Sequence, residues 1–412
     1  MSITQYLSPI QPNSLGYYPS EFSVTLGSRI TPFSPEFSLS DGSMEFQEYD
    51  SEDPVRTPQT SLPENSLVLL GVGEDRGAEH NAGCANAPNE IRRYLYQLAV
   101  PHSDTSIVDL GNIIPGQTAG DTYYAVSEVV SELISLGNTI ILMGGSQDLT
   151  FAAYKGYETL NRIINITSID SRFDLEQNDD ITSRTWLRNI IMQSPNYLFL
   201  NSNIGYQTHF VGQDLIHLMD DLKFDAYRVG EVQQDMSRAE ALIRNSDLLS
   251  IDIGAIRQSD APGNGYPSPH GFYGEEFCQM LRFAGMSSKT GCVGLFEVNP
   301  DFDNHGQTAH MAAQGLWYFI EGYYLRQPDN PQIFPENFKH FIVKMDDPEL
   351  DISFYKSKIS DRWWVHVPCN DPELQEIYSN QMMLPCTYAD YLQAMKGEIP
   401  ALWMKYFQRL NS

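Results

Sequence analysis

The stretch Asn165-Ile-Thr-Ser-Ile-Asp-Ser-Arg-Phe-Asp174 closes an apolar run, Ile163 to Ile169, on two carboxylates four residues apart, Asp170 and Asp174. A short uncharged run of this kind suits a strand buried on both faces. Comparable runs recur at Leu67 to Val72, Ser106 to Leu110, Thr139 to Met143, Tyr197 to Leu200, Phe224 to Val229, Leu248 to Ile253 and Cys292 to Val298, which makes eight candidate strands. Helical patterns separate most of them: Pro88 to Leu98, Thr122 to Leu136, Met236 to Ile243 and Glu275 to Ala284, with a last helix from about Gln307 to Arg326. The first opens on proline, which fits the opening helical turn. Continuous apolar strands alternating with helices predict an α/β fold with a mostly parallel sheet covered on both faces.

Ligands and catalysts in such sheets gather outside the carboxyl ends of the strands. The polar clusters fall there: Gly144-Gly145-Ser146-Gln147-Asp148 after the third run, Asp170 to Asp174 after the fourth, Gly230-Glu231 after the sixth, Asp252 to Gly254 after the seventh and Glu297 to Pro300 after the eighth. These clusters are expected to share one rim. Outside this body, residues 1–65 are rich in Ser, Pro, Gly and acids with only Arg29 and Arg56 basic, and are expected to form an arm of limited structure lying on the body or on a partner. Beyond residue 327, β-like runs (Phe341 to Val343, Ile352 to Tyr355, Trp363 to Val367) precede a helical end from Thr387 to Leu410, broken near Pro400. This aromatic-rich extension, 327–412, is expected to dock on the body or on another subunit.

A formal charge of -27 and a pI near 4.5 argue against nucleic acid and anionic membranes as partners, since both require a basic face. No apolar run is long enough to span a bilayer and Met1 to Ser20 lacks signal-peptide character, so a cytoplasmic protein is expected. Cys84, Cys278, Cys292, Cys369 and Cys386 form no CxxC pair and read as reduced core residues.

Taken in order, Gly71 to Arg93 (GVGEDRGAEHNAGCANAPNEIRR), Gly144 to Asp148, Asp170 to Asp174, Ser250 to Pro267 (SIDIGAIRQSDAPGNGYP) and Glu297 to Pro300 (EVNP) resemble the signature segments of the arginase/agmatinase/formimidoylglutamase superfamily, the ureohydrolases. The first segment is most similar to the formimidoylglutamase branch, and the likeness spans residues 66–326. It implies a three-layer α/β/α fold and a pair of manganese ions whose bridging hydroxide hydrolyses a C–N bond of a guanidino or formimino group. It also implies a homo-oligomer, many members being trimers or hexamers.

Family ligands are two histidines and four aspartates. Carried over by position, the first histidine falls on Gln147, while Asp-x-His-x-Asp becomes Asp170, Arg172 and Asp174. In the Ser-x-Asp-x-Asp segment Ser250 and Asp252 match, and the second aspartate falls on Gly254. Arginine offers only donors and glycine no side chain, so the second metal position is lost, and Arg172 is expected to replace that ion with charge-assisted bonds to Asp170 and Asp252. Asp170, Asp174, Asp252 and the Gln147 carbonyl leave an all-oxygen position for one hard cation, Mn, Mg or Ca, in place of a dinuclear pair. By the same resemblance Glu297 receives the substrate's guanidino or amidino group and Glu231 its polar end, with Asp170 beside Glu297 at the reaction centre; the plain alternative for either glutamate is a salt-bridged strand-end acid. Two functions follow: a binding or scaffold member that has lost the dinuclear chemistry, with a small guanidino or formimino ligand or a protein partner, or an active hydrolase using a mononuclear or atypical site.

Overall fold

Runs of Val, Ile and Leu become interior strands because each side chain finds a helix above or below the sheet, and the chain follows this rule at seven of the eight expected places; Phe224 to Val229 forms instead a four-residue, partly exposed edge strand. The computed structural model describes residues 3–17, 24–34, 59–345 and 350–411. In chain order the strands of the large sheet are β1 (Leu7–Ser8), β2 (Ile30–Pro32), β3 (Leu67–Val72), β4 (Ile107–Ile113), β5 (Thr139–Gly144), β6 (Ile164–Ile169), β7 (Leu198–Tyr206), β8 (Asp225–Arg228), β9 (Leu248–Asp252) and β10 (Cys292–Phe296). The helices of the body are α1 (Ala87–Leu95), α2 (Ala119–Ser135), α3 (Leu149–Thr159), α4 (Trp186–Ile191), α5 (Gln213–Asp221), α6 (Val229–Gln234), α7 (Met236–Arg244), α8 (Gly274–Gly285) and α9 (Gln307–Tyr324).

The sheet runs β1-β4-β3-β5-β10-β9-β6-β7-β8, with β2 also on β4, and every pairing except β1 with β4 is parallel. Helices α1, α7, α8 and α9 cover one face, where Ile91, Leu281 and Leu316 pack against Leu69, Ile141 and Leu295. The other face carries α2, α3, α4 and α5, with Val126, Tyr154 and Trp186 against Val68, Leu142 and Ile166. The architecture is therefore three-layered α/β/α.

The sheet has ten strands rather than eight. The two extra come from the arm and lie along the outer edge of β4: Leu7 opposite Ile113, and Ile30 to Pro32 beside Ile107 to Asp109. The close approach of β1 requires Gly111, whose φ is +77° and where an added Cβ would meet the Ser8 carbonyl oxygen at 2.1 Å. Arg56 and the rest of residues 35–58 lie outside the described residues.

Beyond α9 a second, antiparallel sheet forms from β11 (Phe338–Lys344), β12 (Asp351–Ser357), β13 (Trp363–His366) and β14 (Met383–Cys386), followed by α10 (Pro372–Ile377) between β13 and β14, then α11 (Tyr388–Met395) and α12 (Ala401–Leu410). This unit docks on the body at the amino ends of β6 to β9. Asn165 donates to Gln381 at 2.9 Å, Asn245 to the Tyr406 hydroxyl at 2.5 Å, and Lys405 pairs with Asp225 at 2.9 Å. The carboxyl ends of the same strands stay free of it. The five cysteines are buried and free, and among the described residues no helix is long and apolar enough to cross a membrane.

Candidate functional site

From β3 the chain moves outward to β4, returns to β5, crosses to β6, moves outward again through β7 to β8, and comes back as β9 and β10 to fill the centre. Strand order thus reverses around β5-β10-β9-β6, and a crevice opens at the carboxyl ends of these four strands. Gln147 follows β5, Asp170 follows β6, Asp252 ends β9 and Glu297 follows β10, so the topology gathers residues that lie up to 150 positions apart.

Tight contacts fix this crevice. The Gly145 amide donates to the Val72 carbonyl at 2.9 Å and its own carbonyl accepts from Glu297 at 2.8 Å. A Cβ on Gly145 would stand 1.9 Å from the Glu74 carbonyl oxygen, so only glycine allows β3, β5 and β10 to end together. Asp174 and Glu297 hold left-handed backbone conformations, with φ of +53° and +65°. Such strain in non-glycine residues persists only where the surroundings impose it, and concentrates at functional sites.

The carboxyls are few in partners and poor in water. Glu297 accepts from Asn81 Nδ2 and from the Gln147 amide, both at 2.7 Å, and burial followed by the nearby Asp252 pushes its pKa up to about 8. Asp174 accepts from Trp186 Nε1 at 2.8 Å, and burial raises it to about 7. Asp252 takes the Gly254 amide at 2.7 Å and is raised to about 7 by burial and then by Asp170. Asp170 takes the Arg172 amide at 2.8 Å; burial first, then Asp174, drive its pKa well above the usual carboxylate range. Its second oxygen is buried and receives no hydrogen bond among the described residues. Burial and mutual repulsion thus both favour the protonated form of Asp170. Asp148, next to Gln147, is buried under the Tyr123 hydroxyl at 2.5 Å and is raised by burial to about 6.

Above these acids sits a cavity of about 20 Å³, lined among others by Arg172, Arg184, Asp252, Gly254, Tyr266 and Glu297. That volume admits one water-sized group. Arg172 does not make the expected bonds to Asp170 and Asp252. Its guanidinium donates to the Phe210 carbonyl at 3.2 Å and lies 4.5 Å from the Phe210 ring, because an aromatic face and a free carbonyl hold it at the rim while Arg184 repels it from within. Arg184, unmarked in the sequence, is the more deeply placed cation: 7% exposed, 4.5 Å from the Tyr266 ring, and strengthened in its charge by Asp174, Asp252 and Asp170 against the effect of burial.

Gln147 is buried with its side-chain amide donated to Ser250 Oγ at 3.2 Å. At Gly254 a Cβ would stand 3.0 Å from Asp252 Oδ1 and 3.6 Å from Asn264 Oδ1, so Asn264 borders the space that a longer side chain would enter. Glu231 does not join the group. It is exposed on α6, accepts the Arg228 amide at 2.9 Å and caps that helix. Asn81, Tyr266 and Arg184, which hold or line the site, lie in loops without periodicity, and Trp186 opens the short helix α4; only Asn81 and Tyr266 fall inside segments that the resemblance marked.

Among the described residues no group of three or more His, Cys, Asp or Glu side chains is arranged to hold a metal ion. The donor set agrees with this: no imidazole reaches the cluster, one oxygen of each aspartate is engaged by an N–H of the chain, and two guanidiniums share the cavity. These residues do not fit a dinuclear manganese centre.

The Arginase family model matches residues 65–321. A formimidoylglutamase of Staphylococcus aureus (strain MSSA476) is 26% identical over 293 residues, 67% of this chain and 92% of that protein, and one of Macrococcus caseolyticus is 24% identical over 262 residues, 61% and 83% respectively. In fold the chain is similar to the Bacillus subtilis formimidoylglutamase (TM-score 0.61, 15% identity, 75% of this chain and 95% of that one). It is likewise similar to a Trypanosoma cruzi formiminoglutamase solved with two Mn2+ ions (TM-score 0.59, 19% identity, 64% and 94%). With its eight central strands, its switch-point crevice and a matched stretch that spans most of the body, the chain belongs to the Arginase family and is similar within it to the formimidoylglutamases.

Proposed function

We propose that this chain is a binding or scaffold member of the family that does not carry out metal-dependent C–N hydrolysis. The observation that carries this reading is the pair Arg172 and Arg184 in one cavity with Asp252 and Glu297, where activation of water would need a metal with an open position. The replacements Gln147, Arg172 and Gly254 at three ligand positions support it. Burial also pushes Glu297 up to about 8 and Asp170 well above the usual carboxylate range, which disfavours the ionised base that a metal-free route would need.

The ligand in this reading is a small guanidino or formimino compound, admitted when Arg184 and Tyr266 move apart, or a protein partner. Self-association into a homo-oligomer is part of the proposal. A mononuclear hydrolase is the second reading, favoured by the Asp170 oxygen that no N–H or hydroxyl engages. Purified protein incubated with formiminoglutamate, arginine and agmatine, with and without Mn2+, separates the two. Metal-dependent release of formamide or urea would sink the non-hydrolytic reading; no release, with retained binding of one compound by calorimetry, is the expected result.

A further inference from the structure

We propose that the seam between the body and the extension is a second binding site, which takes a small multivalent anion carrying carboxylate or phosphate groups. It lies at the amino ends of the strands, at the opposite pole from the crevice, and does not depend on the non-hydrolytic reading of that crevice.

The extension does not close fully on the body. A cleft of about 670 Å³ remains along the seam, a volume suited to a small-molecule ligand, with Arg162, Lys289 and Arg326 from the body and Asn380 and Gln381 from the extension in its walls. In a chain of 53 acids against 26 bases the lining reverses the balance, since these three cations face two acids, Asp247 and Glu376. A second cleft of about 580 Å³ adjoins the first, sharing Arg162, Asp247 and Lys289, and adds Arg244 and Arg362 against Asp329.

The acids of the seam are mostly matched already, and two cations are left over. Asp247 accepts the Asn165 amide at 2.8 Å and stands 3.6 Å from Lys289 Nζ. Arg244 and Arg362 both place Nε on one oxygen of Glu240, at 3.0 and 3.1 Å. Glu376 is exposed. Arg162, which lines both clefts, makes no ion pair and no side-chain hydrogen bond among the described residues. Arg326 donates only to neutral acceptors: the Gly285 carbonyl at 2.8 Å, Thr139 Oγ1 at 3.1 Å and the Thr290 carbonyl at 3.1 Å. Those bonds fix its guanidinium beside the residue that follows Lys289. Burial lowers Arg326 to about 10, which leaves it charged at neutral pH.

Partly buried cations without a carboxylate partner favour an incoming anion, and guanidinium forks match the oxygens of carboxylate and phosphate. Lys289 adds a link across the seam, donating to Asn245 Oδ1 at 3.0 Å and to Gln381 Oε1 of the extension at 3.2 Å. An anion between Arg162, Lys289 and Arg326 therefore touches both units and tightens their docking.

The test is isothermal calorimetry and Tm of the full-length chain with inorganic phosphate and with citrate, in chloride buffer of low ionic strength. The variants are Arg162→Gln, Arg162→Gln/Lys289→Gln and, as a control on an exposed arginine of α1, Arg93→Gln. The wild type and Arg93→Gln are expected to bind about one anion per chain saturably, with a rise in Tm, whereas Arg162→Gln weakens the Kd by about tenfold or more. Binding of phosphate alone, of citrate alone or of both supports the site and assigns its preferred chemistry. Saturation by neither, equal affinity in Arg162→Gln and the wild type, or an equal loss in Arg93→Gln would each overturn it. Arg162 holds no contact that folding needs, so the single variant decides even if the double variant does not fold. None of these outcomes bears on hydrolysis at the crevice.

Discussion

Glu297, Asp252 and Asp174 carry pKa values raised to about 8, about 7 and about 7, chiefly by burial, and this has a thermodynamic sign. A carboxyl whose folded pKa exceeds its unfolded value contributes stability below the unfolded pKa and loses it as pH rises through the folded one. Calorimetric Tm is therefore expected to fall between about pH 5 and about pH 9, and Glu297→Gln to flatten the upper part of that fall; a Tm rising over this range would show that the acids are ionised and compensated in the fold. Trp186→Phe removes the indole N–H from a buried carboxyl and is expected to cost about 1–3 kcal/mol in urea denaturation. At this scale the sequence was legible where chemistry forces a residue type: Asp170, Asp174, Asp252 and Glu297 stand at strand ends and meet in one crevice. Arg184 was not legible, because an arginine in a polar loop has no period and its target is set by tertiary placement. Glu231 lies apart from that crevice: a strand-end acid in sequence can be a helix cap in space.

At the scale of elements, seven interior strands were readable because burial on both faces demands unbroken apolar runs, and β8, at the sheet edge, from its apolar flanks; α1, α2, α7, α8 and α9 were readable from their patterns, whereas α3 to α6 were not named. The strands missed were β1, β2 and β14, of two, three and four residues. Edge pairing of such short segments depends on a neighbour's free N–H and C=O groups rather than on their own side chains. The junction of β3, β5 and β10 at Gly145 yields a sharp prediction. Gly145→Ala must displace the Glu74 backbone, since no flexible side chain is available to give way at 1.9 Å. A loss of at least about 2 kcal/mol is expected, read as a lowered urea midpoint with an unchanged m-value.

For the whole molecule, the extension closes the amino ends of the strands while the crevice stays open at their carboxyl ends, so the two poles are chemically separate. Trp403 is 2% exposed and donates to the His366 carbonyl at 2.9 Å, tying α12 to β13. Trp403→Ala is expected to cost about 3–5 kcal/mol without changing ligand binding at the crevice; a matching loss of binding would mean that the poles are coupled. That the extension would dock was readable from its aromatic content, but not onto which surface, since contacts such as Asn165 with Gln381 span 216 residues and leave no local trace.

The arm's place in the sheet also orders events in time. A chain made from its amino end releases Leu7–Ser8 and Ile30–Pro32 well before Ile107–Ile113, the strand that both must join. During synthesis those two segments have no template until Ile107–Ile113 has emerged. Their pairing is thus set by the synthesis of a later strand and not by their own.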